Sequence, residues 1–199
     1  MIGNHIQGYV PSASIEQLDM LWDQYPFKLK ITRDRVSKLG DYRYDPKEKD
    51  HLITVNGSLN EYSFLITLVH EIAHQHVRIH FKRVHPHGSE WKKMFRDLML
   101  PFLRPEIFPE DVLRRLAYHM RNPKASSSAD HELTEILSSY DEEPSSEPTL
   151  RTIVPGEVFE FRGKDYLLLK HRRTRSLCEE QRSRKRYLIP MVCRVRPKI

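Results

Sequence analysis

The segment "HEIAHQHVRIH", residues 70–80, holds four of the eleven histidines of the chain. His70 and His74 are four residues apart, so on an α-helix their imidazoles lie one turn apart, about 40° around the axis. Glu71 lies about 100° from His70, beside an ion that the two histidines would share. This H-E-x-x-H spacing is typical of catalytic zinc sites in which the glutamate accepts a proton from a metal-bound water.

A catalytic zinc usually takes three protein ligands, so the sequence must supply a third. His80 has the spacing of a longer zinc motif, but that motif needs a glycine where Val77 stands. If the helix continues through Val77, His76 and His80 point away from the ion. His85 and His87 remain, in the "HPHGSEW" loop that follows. Because a loop with Pro86 and Gly88 can bring a side chain back to the ion, His87 is favoured as the third ligand, and His85 remains an alternative.

The sequence predicts that the histidine segment lies on a long buried helix ending near Phe81. Apolar residues recur at helical spacing through "SLNEYSFLITLVHEIAH". Ser58 and Glu61 have the spacing of a capping box, and Asn60 is an alternative cap. An unpaired charge is costly to bury, so Glu71 beside two buried histidines favours a metal centre over an ordinary core helix.

Other elements are expected on both sides of this helix. Helices are predicted in "SIEQLDMLWDQ", "SEWKKMFRDLML" and "PEDVLRRLAYHMRN", and strands in "FKLKITR", "LGDYRYDPKEKD" and "HLITV". Near the C-terminus, "EVFEF", "DYLLLK", "SLCEE" and "RYLIPMVCRV" alternate in polarity and predict a small antiparallel sheet.

Charge and composition divide the chain into three parts. Residues 1–121 form the predicted first domain, with an excess of three basic residues. Residues 122–149 are rich in Ser, Pro and acidic residues and are interpreted as a flexible linker, with a short helix near "ELTEILSSY". Residues 150–199 form the predicted β domain, with an excess of nine basic residues. Such a tail suits a polyanion, and equally a solvated, charged sheet face.

Several classes of protein are disfavoured by what the sequence lacks. It has no apolar run of about 18 residues, the length that a transmembrane helix requires. Its N-terminal residues have neither the basic start nor the apolar core of a secretory signal, so a cytoplasmic location without membrane contact is expected. Cys178 and Cys193 are the two cysteines, too few for a disulfide framework or a four-cysteine zinc site.

Taken together, "LGDYRYDP", "HLITV", "SLNEYSFLITLVHEIAHQHV" and "HPHGSEWKKMF" resemble the SprT-like metallopeptidase family, to which the eukaryotic Spartan proteases are similar. The resemblance covers roughly residues 15–100. It implies that His70, His74 and His87 bind one zinc ion per chain and that Glu71 is catalytic. The implied fold is α+β: a zincin-like core with a small sheet packed on the active-site helix, followed here by a small antiparallel β domain.

The C-terminal part departs from the family, many bacterial members of which end in a cysteine-rich zinc ribbon. Only Cys178 and Cys193 stand in this region, so we expect that a structural zinc has been lost there. The sheet is then expected to be held by apolar packing, with both thiols buried and inert.

The expected function is that of a zinc-dependent metallopeptidase acting on a protein substrate. The resemblance to Spartan-type proteases implies substrates that are bound or cross-linked to DNA. The alternative is a non-enzymatic nucleic-acid-binding or adaptor protein with a structural zinc. The residues expected to contact phosphates are Arg172, Arg173, Arg175, Arg182, Arg184, Lys185 and Arg186.

Overall fold

A computed structural model describes residues 1–33, 35, 38–124, 130–142, 147–173 and 175–198. The chain divides into two units, Met1–Glu142 and Glu143–Ile199. Over the described residues it is an α+β protein with six α-helices and two small sheets. No helix in these ranges is long and apolar enough to cross a membrane.

The first unit is built around helix α3, Glu61–His80, which carries "HEIAH". Asn60 is its N-cap, and its side chain accepts a hydrogen bond from the Ser63 backbone N–H at 2.9 Å. Most of the helix is buried, because large apolar side chains recur on the faces turned toward the core. Two short helices precede it in the chain, α1 (Gly3–Ile6) and α2 (Ile15–Gln24).

A three-stranded sheet lies against α3. Strand β3 (Asp50–Asn56) is central, with β1 (Lys28–Thr32) parallel to it and β2 (Gly40–Asp45) antiparallel. Both β2 and β3 contact α3. Strand β2 is therefore an edge strand running beside the helix that carries the histidines.

Three further helices complete the first unit: α4 (Ser89–Met99), α5 (Glu110–His119) and α6 (His131–Ser138). Trp91 and Phe95 of α4 are almost fully buried in the core beside α3. Helix α6 falls inside the segment interpreted as a linker, yet Leu133 and Leu137 belong to the same core. The short helix predicted near "ELTEILSSY" is confirmed by α6, whereas the polar composition of the segment did not indicate that this helix packs into the core. Residues 125–129 and 143–146 of the predicted linker lie outside the described residues.

The second unit contains five strands, β4 (Val158–Phe161), β5 (Lys164–His171), β6 (Arg175–Glu180), β7 (Arg186–Pro190) and β8 (Arg196–Lys198). They form an antiparallel sheet in the order β7-β6-β5-β4-β8. Cys178 is buried in its small apolar core, Cys193 packs against that core, and both are free thiols. Burial raises the pKa of Cys178 to about 11, so this thiol stays protonated at neutral pH.

Candidate metal centre

Three histidine side chains meet beside helix α3. The His70 and His74 Nε2 atoms are 3.3 Å apart, and the Nε2 atom of His87 lies 3.3 Å from the first and 2.9 Å from the second. Ligand nitrogens at the usual zinc distance in a tetrahedral site are separated by about 3.3 Å. Within the described residues, this is the one group of His, Cys, Asp and Glu side chains close enough to share a metal ion.

The chemistry of the three nitrogens also fits a cation. Burial lowers the pKa of His70 to about 2 and that of His74 to about 4, and it lowers the pKa of His87 as well. All three are therefore neutral imidazoles, whose nitrogens are each either a donor or an acceptor. Three nitrogens that all face one another cannot alternate as donor and acceptor, so at least one pair must be donor facing donor or acceptor facing acceptor. A bound cation removes this conflict.

Trp91 of α4 forms the packing surface behind the three histidines. It is 1% exposed, and its ring centroid lies 4.6 Å from that of His70, 5.3 Å from His74 and 4.7 Å from His87. Aromatic contacts on several sides restrict how each imidazole can rotate. Trp91 thus orients all three candidate ligands at once.

The third histidine comes from the turn between α3 and α4. His87 has a left-handed backbone with φ of 60°, and the turn is closed by a 2.9 Å hydrogen bond from the Gly88 N–H to the His85 carbonyl. His85 is exposed and lies outside the cluster. His76 is buried against Tyr25 instead, with ring centroids 4.2 Å apart. The structure therefore brings His87, and not His85, to the two helix histidines.

Glu71 lies next to this cluster, buried and without an ion pair among the described residues. It is 7% exposed. Burial, reinforced by the nearby Asp41, raises its pKa to about 7, although Arg35 and Lys38 act in the opposite direction. A carboxylate with a near-neutral pKa is suited to accept and release a proton at physiological pH.

Gly40 of β2 makes room for this carboxylate. A Cβ atom at residue 40 would lie 2.7 Å from Glu71 Oε1 and 2.7 Å from Thr67 Cγ2. Both distances are far below van der Waals contact, so a side chain here would displace the glutamate or the strand. The edge strand can approach α3 this closely because residue 40 is glycine.

A cleft of about 390 Å³ opens onto the cluster and Glu71. One wall is the β2 segment that contains Gly40, Asp41 and Tyr42. The floor is formed by α3, so the candidate ligands and the candidate base face one shared space. A substrate entering this cleft would meet all four groups.

The cleft also contains a residue that the sequence did not indicate. His119, the last residue of α5, lines it and is 4% exposed. Its Nδ1 lies 2.8 Å from Asp130 Oδ2. The available signal was the spacing of His119 with Val112 and Leu116, which places a histidine on the buried face of α5. No local pattern joins it to Asp130, eleven residues away.

The basic residues selected in the second unit are exposed but not equivalent. Arg184 and Arg186 both pair with Glu179, at 3.3 Å and 3.4 Å. In the described ranges, no ion pair involves the other five. These five are Arg172, Arg173, Arg175, Arg182 and Lys185.

Comparison with known proteins gives one match. The model of the SprT-like family matches residues 18–107, from within α2 to the segment before α5, and this range includes the three clustered histidines and Glu71. Searches of curated proteins and of solved structures return no significant match.

Proposed function

Residues 18–107 belong to the SprT-like family, and we propose that this domain is a zinc-dependent metallopeptidase with a zincin-like core. The observation that carries the proposal is the buried Glu71, without an ion pair among the described residues, beside three convergent histidines in an open cleft. A structural metal site has no need of a base, and it would gain stability by filling its remaining coordination position from the protein.

His70, His74 and His87 would hold one zinc ion. When bound, the ion supplies Lewis acidity, which makes a water more acidic and polarises the scissile carbonyl. Trp91 keeps the three imidazoles oriented, and the burial of the histidines keeps them neutral, which is the form that binds metal.

Glu71 would be the general base and then the general acid. Its carboxylate accepts a proton from the attacking water and afterwards delivers that proton to the amine that leaves. The near-neutral pKa of Glu71 allows both transfers. Gly40 lets the carboxylate sit beside the cleft without steric displacement.

The first test measures zinc per chain in the full-length protein. We expect one zinc in the wild type, and loss of that zinc in the variants His70→Ala, His74→Ala and His87→Ala. His80→Ala and His85→Ala are matched controls on the same helix and in the same turn, and should keep the metal. A folded wild type that takes up no zinc would contradict the proposal.

The second test separates a catalytic zinc from a structural one. We expect zinc-loaded wild type to hydrolyse casein, and Glu71→Gln to keep its zinc while losing about 10³-fold in rate. Zinc retained without hydrolysis in the wild type would favour a non-enzymatic protein instead. Hydrolysis by Glu71→Gln at the wild-type rate would disprove the role of Glu71.

We further propose that the second unit binds DNA and so presents DNA-bound or DNA-cross-linked proteins to the peptidase. Its net positive charge supports this, as do its exposed arginines that form no ion pair within the described ranges.

Replacing Arg172, Arg173 and Arg175 by Gln should weaken DNA binding and reduce the slope of log K against log[salt] by about 0.9 for each phosphate that the variant no longer neutralises. Arg184→Gln with Arg186→Gln is the control and should have less effect, because Glu179 already pairs with both. Unchanged affinity in the triple variant would disprove the proposal.

A further inference from the structure

His119 and Asp130 form a buried pair at the wall of the cleft. His119 is 4% exposed and Asp130 is 3% exposed, and Nδ1 lies 2.8 Å from Oδ2. Glu71 and the three histidines line the same cleft as His119. A histidine held by a buried carboxylate thus lines the cleft that also contains the groups to which the proposed reaction is assigned.

Asp130 is held in place by groups outside the cleft. Its Oδ1 accepts a hydrogen bond from Arg115 Nη2 at 2.5 Å, and Arg115 also pairs with Glu132 at 2.6 Å. Asp130 caps α6 as well, accepting from the Leu133 N–H at 3.4 Å. Burial alone would raise the pKa of Asp130, but the bonds from Arg115 and His119 hold it below its usual value. The carboxylate therefore stays charged and fixes the orientation of the imidazole.

This orientation determines which atom His119 offers to a ligand. An ionised Asp130 can only accept, so His119 donates Nδ1–H to it. Among the described residues, that bond is the one hydrogen bond of the ring. Nε2, on the opposite edge of the ring, is then the polar atom of His119 that is left to contact a ligand in the cleft.

We propose that His119 is a further catalytic residue, whose Nε2–H binds the oxygen of the scissile carbonyl as that oxygen becomes negative. The inference rests on the proposed peptidase function. His119 would then bind the oxyanion, a role that neither the histidine cluster nor Glu71 fills. The substrate would be a carbonyl compound that water attacks.

The proposed step begins when water attacks the scissile carbonyl. The water oxygen bonds to the carbonyl carbon, its proton passes to Glu71, and the carbonyl π pair moves to the oxygen. His119 takes a second proton from solvent at Nε2 and donates a hydrogen bond from it to that oxygen, and Asp130 balances the imidazolium charge. When the C–N bond breaks, the pair returns to form the carbonyl, Glu71 gives its proton to the amine, and His119 returns its second proton to solvent. A hydrogen bond aimed at the oxygen on which negative charge develops stabilises that charge.

Two opposing influences act on the protonation of His119. On balance the pKa of His119 lies below its usual value: burial lowers it most, Lys124 and Arg115 lower it further, and the hydrogen bond and the charge of Asp130 raise it only in part. The ring is therefore neutral before the reaction, with its proton on Nδ1. The oxyanion places a second negative charge beside the ring, on the side opposite Asp130. The imidazolium is therefore favoured most at the moment when the carbonyl oxygen is negative.

A merely structural role for the pair makes a different prediction. A buried ion pair joining α5 to α6 would affect the melting temperature, and the fraction that stays folded would hydrolyse substrate normally. An oxyanion-binding role lowers kcat with little change in KM, since the contact forms only in the transition state.

The test uses the zinc-loaded full chain with casein as substrate. We expect His119→Phe to keep one zinc per chain and to lose about 10²-fold in kcat, with KM nearly unchanged. His119→Gln, whose amide can still donate into the cleft, should recover part of that loss. His171→Phe is the matched control: this histidine bonds Ser176 and the Ile153 carbonyl in the second unit, and its variant should retain the wild-type kcat.

Two results would overturn the inference: a wild-type kcat in folded His119→Phe, or equal losses in His119→Phe and His119→Gln. If His119→Phe fails to fold, Asp130→Asn keeps the shape and removes the charge, and it should still lower kcat at constant zinc content. An unchanged kcat in Asp130→Asn would then disprove the inference. Wild type that holds zinc and cleaves nothing contradicts the peptidase proposal itself, so the two failures are distinguishable.

Discussion

Two glutamates in the two units are almost equally covered but have opposite surroundings. Glu71 is 7% exposed and Glu180 is 5% exposed. Glu180 accepts a hydrogen bond from Ser183 Oγ at 2.7 Å and pairs with Lys164 at 3.1 Å, and both contacts lower its pKa. Glu71 has no ion pair within the described residues, and burial raises its pKa to about 7.

The difference separates a carboxylate that stabilises a fold from one that is available for chemistry. Glu180 has partners from its own sheet, so its charge is compensated inside the second unit. The compensation of Glu71 is only partial. A backbone hydrogen bond from Tyr42 and the charges of Arg35 and Lys38 lower its pKa, but burial outweighs them. Glu71 and the three neighbouring histidines all face a cleft. Buried polar groups that are poorly compensated cost stability, so we infer that the first unit keeps them for what they bind.

Removing the charge of Glu71 should stabilise the metal-free protein. The pKa of Glu71 is raised from 4.5 to about 7, so the penalty is absent below pH 4.5 and complete above pH 7. Relative to wild type, Glu71→Gln should gain about 3 kcal/mol in the free energy of unfolding at pH 8. Urea unfolding at pH 8 and at pH 4, where the gain should vanish, checks this. An equal gain at both pH values would mean that the Glu71 charge is not its cause.

Zinc removal should affect the two units differently. At a free zinc concentration 100 times the Kd, binding stabilises the first unit by about 2.7 kcal/mol, and a chelator should remove this stabilisation. The second unit, held by its own apolar core, should keep its melting temperature. Calorimetry of the full chain with and without chelator measures both transitions. If the chelator also lowered the melting temperature of the second unit, the stability of that unit would depend on zinc as well, contrary to this prediction.

Adding a methyl group beside Glu71 should affect activity as well as stability. Gly40→Ala places a Cβ 2.7 Å from Glu71 Oε1, and Gly57→Ala places one 2.9 Å from Ile31 Cγ2, away from the cleft. Both should cost about 1–2 kcal/mol through overpacking. Hydrolysis of casein should fall at least about tenfold in Gly40→Ala only, because small displacements of a catalytic group are costly. Equal activity in the two variants would argue against the close approach at Gly40.

The smallest effect is expected at Glu180. Glu180→Gln keeps the shape of the side chain and loses its charge, so the bond from Ser183 persists and the pairing with Lys164 weakens. The melting temperature of the second unit should fall slightly, and hydrolysis should stay at the wild-type rate. If Glu180→Gln were more stable than wild type, the charge of Glu180 would destabilise its unit as that of Glu71 is expected to do.

The features that depend on local sequence could be predicted. Helix α3 follows from apolar spacing and a capping residue, although the cap is the alternative Asn60 and not Ser58 of the predicted capping box. The one-turn separation of His70 and His74 follows from helix geometry. The choice between His85 and His87 depends on the backbone of a turn, in particular the left-handed φ of His87. Residue types alone left that choice open, and the family resemblance favoured His87.

The features that depend on distant contacts could not be predicted. Nothing local indicates that His119 meets Asp130, because the two residues belong to separate helical segments and the pairing forms only when α5 and α6 pack together. The parallel pairing of β1 with β3 is likewise a tertiary outcome. The short helix near "ELTEILSSY" was predicted correctly, but the polar composition of residues 122–149 favoured a flexible linker and did not indicate that Leu133 and Leu137 bury one face of α6 in the core.

The cap of α3 has a consequence for where the first unit can be cut. Besides capping the helix, Asn60 donates through Nδ2 to the Leu137 carbonyl at 2.8 Å and to Asp141 Oδ1 at 2.6 Å. The start of the histidine-bearing helix is therefore hydrogen-bonded to the end of α6 and to the residues after it, some eighty residues later in the chain. The match to the family model ends at residue 107, well before Leu137 and Asp141. A recombinant fragment that ends there would carry the whole histidine cluster but lack the clamp on its helix, so a fragment for crystallisation should extend to Glu142.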